Sequence, residues 1–190
     1  MNLYLDIDGV LLDYATDGPA ENAAIFIDFI TSEFDCHWLT THCQGDSTTA
    51  VEYLAEYFPP EVIAKLKVVK PTVWRTLKTE GIDFSKPFIW LDDCPFQAEI
   101  KMLDSKGASD SLFKVNLGNR DELLGVIEFL KKIMSPLSTN HCLGQSHRGV
   151  YKARGTADPT FEVRSAAQEG LQSDMGRMAG PWFAKANRNM

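Results

Sequence analysis

Residues 1–13 constrain the fold more than any other stretch, because an apolar run there is interrupted by Asp6 and Asp8 and then by Gly9. A short apolar run that ends at a glycine is typical of a buried strand that opens into a turn. Aspartate is uncommon in strands and costs free energy when it is buried unpaired. The two acids therefore predict a strand end that faces a cation, hydrogen-bond donors or solvent, the end at which open α/β sheets bind ligands. The simpler alternative is a strand followed by a polar turn.

The rest of the first 136 residues alternates helical and strand patterns. Helices are predicted over residues 20–34, 47–57, 71–80 and 95–105, with a short turn over 61–66 and a last helix from Asn119 or Asp121 to about Met134. The signals are apolar side chains at helical spacing or, over 71–80, the helix-start residues Pro71 and Thr72. After the opening strand, further strands are predicted over residues 36–39, 67–69, 88–91 and 112–115. This alternation predicts an α/β, three-layer sandwich around a mainly parallel five-stranded sheet.

Composition and charge divide the chain into two parts. The 190 residues are 44% apolar, enough for one domain with a sizeable core, and the net charge of −7 gives no basic surface for nucleic acid or an anionic membrane. Residues 1–136 carry 12 Lys or Arg against 22 Asp or Glu, whereas residues 137–190 carry 7 against 4 and are rich in small and polar residues. We expect a folded domain over 1–136 and a disordered or loosely structured tail over 137–190.

The four cysteines are scattered through the chain and do not form a disulfide framework. Because no secretory leader precedes the first predicted strand, we expect reduced thiols and a cytoplasmic protein. No apolar stretch approaches the roughly 18 residues of a membrane span. A zinc site is disfavoured, because some of its candidates lie in or before a strand, where side chains alternate between faces: Cys36, His37, His42 and Cys43.

Three of the predicted strands end in polar residues, namely Asp6 and Asp8, Thr40 and Thr41, and Asp92 and Asp93. In a parallel sheet these strand ends share one edge, so their side chains converge. Four carboxylates packed together repel one another and stay ionised only when a cation lies among them. Oxygen ligands favour a hard ion, and Mg²⁺ fits best when phosphate oxygens and waters complete its coordination.

The order of these strand ends resembles the haloacid dehalogenase (HAD) superfamily of phosphohydrolases. LYLDIDGVLLD is similar to its first motif, HWLTT to its second, and FIWLDD to its fourth, and the resemblance covers residues 1 to about 134. The family's third motif is a lysine with two candidates here. Lys70 stands 22 residues before Asp92 and Lys78 stands 14 before it. The run KTEGIDFSKPFIWLDD resembles a subgroup with a WxDD fourth motif, which favours Lys78 while Lys70 stays open.

The resemblance implies a role for each matched residue. Asp6 would attack phosphorus and form an aspartyl-phosphate, and Asp8 would protonate the leaving oxygen and then activate water. Thr40 would donate a hydrogen bond to the phosphoryl group, and the lysine would offset its charge. Mg²⁺ would be held by the Asp6 and Asp92 side chains and the Asp8 main-chain carbonyl, with Asp93 ordering that shell. An acid at position 8 implies hydrolysis, because relatives that only hold or pass on the phosphoryl group carry Thr there.

The resemblance also implies a sheet order of 3-2-1-4-5 and no cap domain, since the gaps between the first three motifs hold only one or two helices each. Without a cap the site would be open, which suits a bulky substrate such as a phosphorylated polymer end or protein as well as a small molecule. The WxDD stretch resembles HAD domains linked with RNA repair, which brings a nucleic-acid 3′-phosphate into the range of substrates. The acidic domain argues against strong autonomous polymer binding.

Two other functions compete with a Mg²⁺-dependent phosphomonoester hydrolase. One is a catalytically idle HAD-like module that binds a phosphorylated ligand or a protein partner, and the full set of acids disfavours it. The other is a receiver domain, which also combines an α/β fold with acids, Thr and Lys. In a receiver domain the adjacent acidic pair lies at the first strand, whereas here Asp92 and Asp93 come late, so the order disfavours this function.

Overall fold

A computed structural model describes residues 1–135 of the chain; the predicted tail over 137–190 lies outside the described residues. Its α-helices are α1 (Ala23–Glu33), α2 (Thr48–Leu54), α3 (Pro60–Leu66), α4 (Gln97–Ser105) and α5 (Glu122–Met134). Proline at the first position of α3 suits a helix start, because the missing N–H has no partner there. Among the described residues, no helix has both the length and the apolar character that a membrane crossing requires.

The strands form one main sheet and one small hairpin. In chain order they are β1 (Asn2–Leu5), β2 (Leu12–Asp13), β3 (Gly18–Pro19), β4 (Asp35–Trp38), β5 (Phe88–Asp92) and β6 (Leu112–Lys114). Within residues 1–135 the main sheet has four parallel strands in the order β4-β1-β5-β6. The antiparallel pair β2–β3, which the sequence did not predict, follows β1 as a separate hairpin.

Apolar side chains cover both faces of the main sheet, because alternate residues of a strand point to opposite sides. On one face Leu3 and Leu5 of β1 join a core with α1, α3 and α5. On the other face Tyr4 of β1 and Trp90 of β5 join Leu103 of α4. The result is an α/β fold with a mainly parallel sheet between helices, which is consistent with a Rossmann-like sandwich.

The predicted third strand over 67–69 is not formed, so the five-strand sheet and its order are not confirmed. The N–H groups of residues 67–69 donate back to carbonyls of α3, and they are therefore not available to the sheet. Only Lys70 reaches β4, where its N–H donates to the Cys36 carbonyl at 2.9 Å and its carbonyl accepts from Trp38 N–H at 2.8 Å. This single bridge occupies the edge at which the fifth strand was expected.

The predicted helix over 71–80 is wrong for most of its length. A 3₁₀ helix covers only Lys78–Gly81, and residues 71–77 form no helix. The polar groups of Thr72 are used elsewhere: its carbonyl accepts from Gly45 N–H at 2.8 Å, and its hydroxyl donates to the Trp38 carbonyl at 2.5 Å. These long-range bonds hold the segment against β4 and override the local helix signal of Pro71 and Thr72.

Candidate metal and phosphate site

Asp6 and Asp92 stand side by side at the carboxyl edge of the two central strands. Asp6 directly follows β1, and its N–H donates to the Leu91 carbonyl of β5 at 3.1 Å. Asp92 is the last residue of β5. One oxygen of each carboxylate accepts a neighbouring backbone N–H, from Ile7 at 2.8 Å and from Cys94 at 2.9 Å respectively. Both side chains are buried and each leaves its second oxygen free of the backbone, pointing to a shared partner.

Asp93 joins these two acids, and Gly9 makes room for it. Asp6, Asp92 and Asp93 each offer one carboxylate oxygen, and these oxygens lie within 4.8 Å of one another. Gly9 has φ +75°, a region that side chains with a Cβ rarely adopt, and a Cβ at this position would overlap the Asp93 carboxylate. Glycine at position 9 is therefore required both by the turn and by the third acid.

Lys78 supplies the positive charge of the site. Its Nζ lies 2.6 Å from Asp92 Oδ2 and also forms an ion pair with Asp6 Oδ2. The backbone N–H of Lys78 donates to Glu99 Oε1 at 2.7 Å, and the other Glu99 oxygen accepts Phe96 N–H at 2.7 Å. Glu99 is buried in the first turn of α4. A buried carboxylate thus fastens the start of the 3₁₀ helix to α4 and holds the lysine over the strand ends.

The charges at this edge shift one another's protonation. Burial first, and the Asp6 charge second, raise the pKa of Asp92 to about 6, although Lys78 acts in the opposite direction. Burial, followed by the charge of Asp92, also raises the pKa of Asp93. Burial alone would lower the pKa of Lys78, but Asp6 and Asp92 outweigh it, so its pKa is raised and it remains an ammonium. The site therefore concentrates negative charge beyond what one lysine balances.

Asp8 does not belong to the three-carboxylate cluster; its side chain turns to a different set of partners. Asp8 Oδ2 lies 2.9 Å from His42 Nε2, and Asp8 Oδ1 accepts a hydrogen bond from the Tyr53 hydroxyl at 3.2 Å. The His42 and Tyr53 rings are stacked, with centroids 4.0 Å apart and planes 7° apart. Asp8 therefore belongs to the same loop after β1 as Asp6, but its side chain contacts His42 and Tyr53 and is not part of the three-carboxylate cluster.

The two remaining predicted residues, Thr40 and Lys70, have their side chains at opposite ends of the strand β4. Thr40 is fully buried two residues beyond β4, and its Oγ1 accepts the His42 N–H at 3.4 Å. Lys70 Nζ lies 2.6 Å from Asp35 Oδ1, at the start of β4, and both side chains are substantially exposed. The structure therefore brings Thr40 to the carboxyl edge and does not bring Lys70 to the carboxylates, which Lys78 reaches.

The donor chemistry of the cluster fits a hard divalent cation. Asp6, Asp92 and Asp93 offer only oxygen, and they form the one group of metal-ligating side chains found over residues 1–135. The candidates for zinc do not converge: His37 lies 3.7 Å from Asp35, His42 contacts Asp8, and the Cys43 thiol donates to a backbone carbonyl. The three carboxylates therefore form an all-oxygen group that can hold a metal ion, whereas the predicted zinc candidates do not come together.

Sequence reasoning gave no site role to three residues that contact the site residues. Tyr53 and His42 hold Asp8, and Glu99 holds Lys78. A usable signal existed only for Glu99, because a glutamate three residues after a helix start commonly accepts backbone N–H groups there. The others depend on how loops and helices approach the sheet edge.

Comparison with known proteins adds no relative: no family model, no curated protein and no solved structure matches this chain. A function for the chain is therefore proposed from the arrangement of the three carboxylates and Lys78 at the carboxyl ends of the strands.

Proposed function

We propose that this chain is a Mg²⁺-dependent phosphomonoester hydrolase of the HAD type that works through an aspartyl-phosphate on Asp6. The observation that carries the proposal is the convergence of Asp6, Asp92 and Asp93 with Lys78 at one sheet edge. Asp6 lies far from Lys78 and Asp92 in sequence, and turn or capping roles would not require the Asp6 and Asp92 carboxylates to share one ammonium group. The bridge between Lys70 and β4 lies at the edge where the predicted third strand of this sheet order was expected, which also supports the proposal.

The site residues divide the reaction between them. Asp6 attacks phosphorus, and its backbone contacts to Ile7 and β5 hold the attacking carboxylate in place. Asp8 gives a proton to the leaving oxygen and later takes one from the water that cleaves the intermediate. Lys78 offsets the negative charge of the phosphoryl oxygens, and Thr40 donates a hydrogen bond to one of them. Asp6, Asp92 and the Asp8 main-chain carbonyl would hold Mg²⁺, with Asp93 in support, and the ion would neutralise negative charge on the phosphoryl group.

The surroundings of the site bear on its substrate. Residues 12–35 contain the β2–β3 hairpin and α1, and residues 41–70 contain α2 and α3; neither of these described segments holds a further domain. A site without such an inserted cap would accept a phosphorylated polymer end or protein as well as a small phosphate monoester. We also propose a cytoplasmic location, in which the free thiols of Cys36, Cys43 and Cys94 would stay reduced.

Turnover of p-nitrophenyl phosphate with and without Mg²⁺ tests the proposal. We expect Mg²⁺-dependent hydrolysis by the wild type and a loss of at least about 10³-fold in Asp6→Asn, because the amide removes the nucleophile. Asp35→Asn is a matched control, since it changes an exposed acid at the opposite sheet edge and should leave turnover intact. Equal turnover in wild type and Asp6→Asn would remove the assigned nucleophile, and binding of phosphorylated ligands without turnover would point to the idle module instead.

A further inference from the structure

The Asp8 carboxylate is held at both of its oxygens by side chains from two different elements. His42, in the loop that follows β4, contacts Oδ2 at 2.9 Å, and Tyr53, in α2, donates to Oδ1 at 3.2 Å. The two rings are themselves stacked in nearly parallel planes. A short aspartate side chain on a turn would otherwise exchange between rotamers, and two contacts that are fixed to each other restrict it to one orientation.

We propose that His42 and Tyr53 are positioning residues that aim the Asp8 carboxylate for proton transfer to the leaving group. This inference rests on the proposed function and goes beyond it, because the mechanism requires an acid at position 8 but says nothing of what orients it. A general acid acts only within hydrogen-bond reach of the oxygen that it protonates, and small displacements of a catalytic group cost rate.

The arrangement leaves Asp8 able to do this chemistry. The side chains of His42 and Asp8 are 27% and 29% exposed, so the pair is reachable from solvent and by a substrate. Each carboxylate oxygen has a second lone-pair direction that neither partner uses. His42 is tied in turn to the phosphate-binding candidate, because its N–H donates to Thr40 Oγ1. The contact therefore sets the acid relative to the expected phosphoryl position.

Proton transfer is balanced in two steps. In the first, an Asp6 oxygen bonds to phosphorus while the bond from phosphorus to the leaving oxygen breaks, and the proton of Asp8 passes to that oxygen. In the second, a water oxygen bonds to phosphorus while the bond to Asp6 breaks, and a water proton returns to Asp8. His42 and Tyr53 form no bond to substrate in either step, and their effect is confined to the direction in which Asp8 points.

The test uses two substrates that differ in their need for a proton. Nitrophenolate leaves readily unprotonated, whereas phenolate is a poorer leaving group, so the kcat/KM for phenyl phosphate depends more strongly on general acid catalysis. In His42→Phe and Tyr53→Phe, which keep a ring and remove the polar atom, we expect kcat/KM to fall about tenfold or more for phenyl phosphate but no more than about threefold for p-nitrophenyl phosphate, part of the 10²–10⁴ that general acid–base catalysis supplies.

A matched histidine provides the control. His37 packs against Tyr4 and lies near Asp35, and it makes no contact with Asp8. His37→Phe should therefore leave the ratio of the two kcat/KM values unchanged. Equal losses of kcat/KM on both substrates in the His42 and Tyr53 variants would show a structural role and overturn the proposal, as would no loss on either substrate. The Asp6→Asn result separates the two claims: if that variant keeps full turnover, the proposed function fails and this inference fails with it, whereas an inactive Asp6→Asn with an unchanged ratio overturns the positioning role alone.

Discussion

Replacing Lys78 with methionine would reveal how much stability one ammonium group provides at a crowded acidic edge. Lys78 Nζ contacts both Asp6 and Asp92, and the three side chains are only 14%, 11% and 1% exposed. Water therefore has little access to solvate the two carboxylates once the ammonium group is removed. Removing one partner of a buried ion pair typically costs about 3–5 kcal/mol. We expect a loss of that size in the free energy of unfolding, which is a large share of the roughly 5–15 kcal/mol of a native domain.

Mg²⁺ should recover much of this loss, since a cation among the same carboxylates restores the charge balance. Binding to the folded state adds about 2.7 kcal/mol at a free concentration of about 100 Kd. Urea denaturation with and without Mg²⁺ measures both effects. Lys70→Met is the matched control, because its single, largely exposed pair with Asp35 is worth only about 0–1 kcal/mol. Similar losses in the two variants, or no greater Mg²⁺ recovery in Lys78→Met, would refute the reasoning.

Two further substitutions test the supports of the site. Gly9→Ala should lose about 1–2 kcal/mol of folding free energy to backbone strain and should also weaken Mg²⁺ binding, because the new Cβ displaces the adjacent carboxylate. Gly107→Ala is the control, because Gly107 has φ +66° and open space around it. Urea denaturation should show a similar loss of stability from strain, while the Mg²⁺ affinity stays at the wild-type value. Glu99→Gln replaces an acceptor of two backbone N–H groups with an amide that offers one oxygen; we expect about 1–3 kcal/mol of lost stability and slower p-nitrophenyl phosphate turnover. Unchanged turnover in that variant would mean that Glu99 does not hold the site lysine in place.

The sequence predicted the alternating elements well where hydrophobic periodicity was long. The helix α5 is an example: a helix to about Met134 was predicted, and α5 ends at Met134 with Leu123, Ile127 and Leu130 buried as their spacing requires. The prediction failed over 67–80, where periodicity is weak and each backbone group has a choice of partners. The Val69 N–H donates a hydrogen bond to a carbonyl of α3, and the Thr72 hydroxyl donates to a carbonyl of β4. The residues next to them in sequence do not predict either choice of partner.

Part of the acidic cluster could be predicted for a topological reason. Asp6 directly follows β1 and Asp92 ends the neighbouring parallel strand β5, so a residue count from each strand places their carboxylates together. Asp8 was expected to join them, but its side chain turns to His42 and Tyr53. The contacts of Lys78 could not be obtained in this way, because its position depends on a 3₁₀ turn docked through Glu99. The same holds for Tyr53, which reaches Asp8 only because of the angle at which α2 approaches the sheet edge.

The anchoring of Lys78 to α4 has a consequence for how this scaffold tolerates rearrangement. The lysine and the strand-end acids are supported by β1, β5 and the first turn of α4, whereas the stretch 55–68 joins the site through neither a ligand nor an ion pair within the described chain. Extra sequence inserted after Phe58 keeps this buried side chain and the packing of Tyr57 against Tyr53 in place, so we expect the charged cluster to stay intact. Such an insertion offers a route to fuse a further module to the domain without redesigning the cluster.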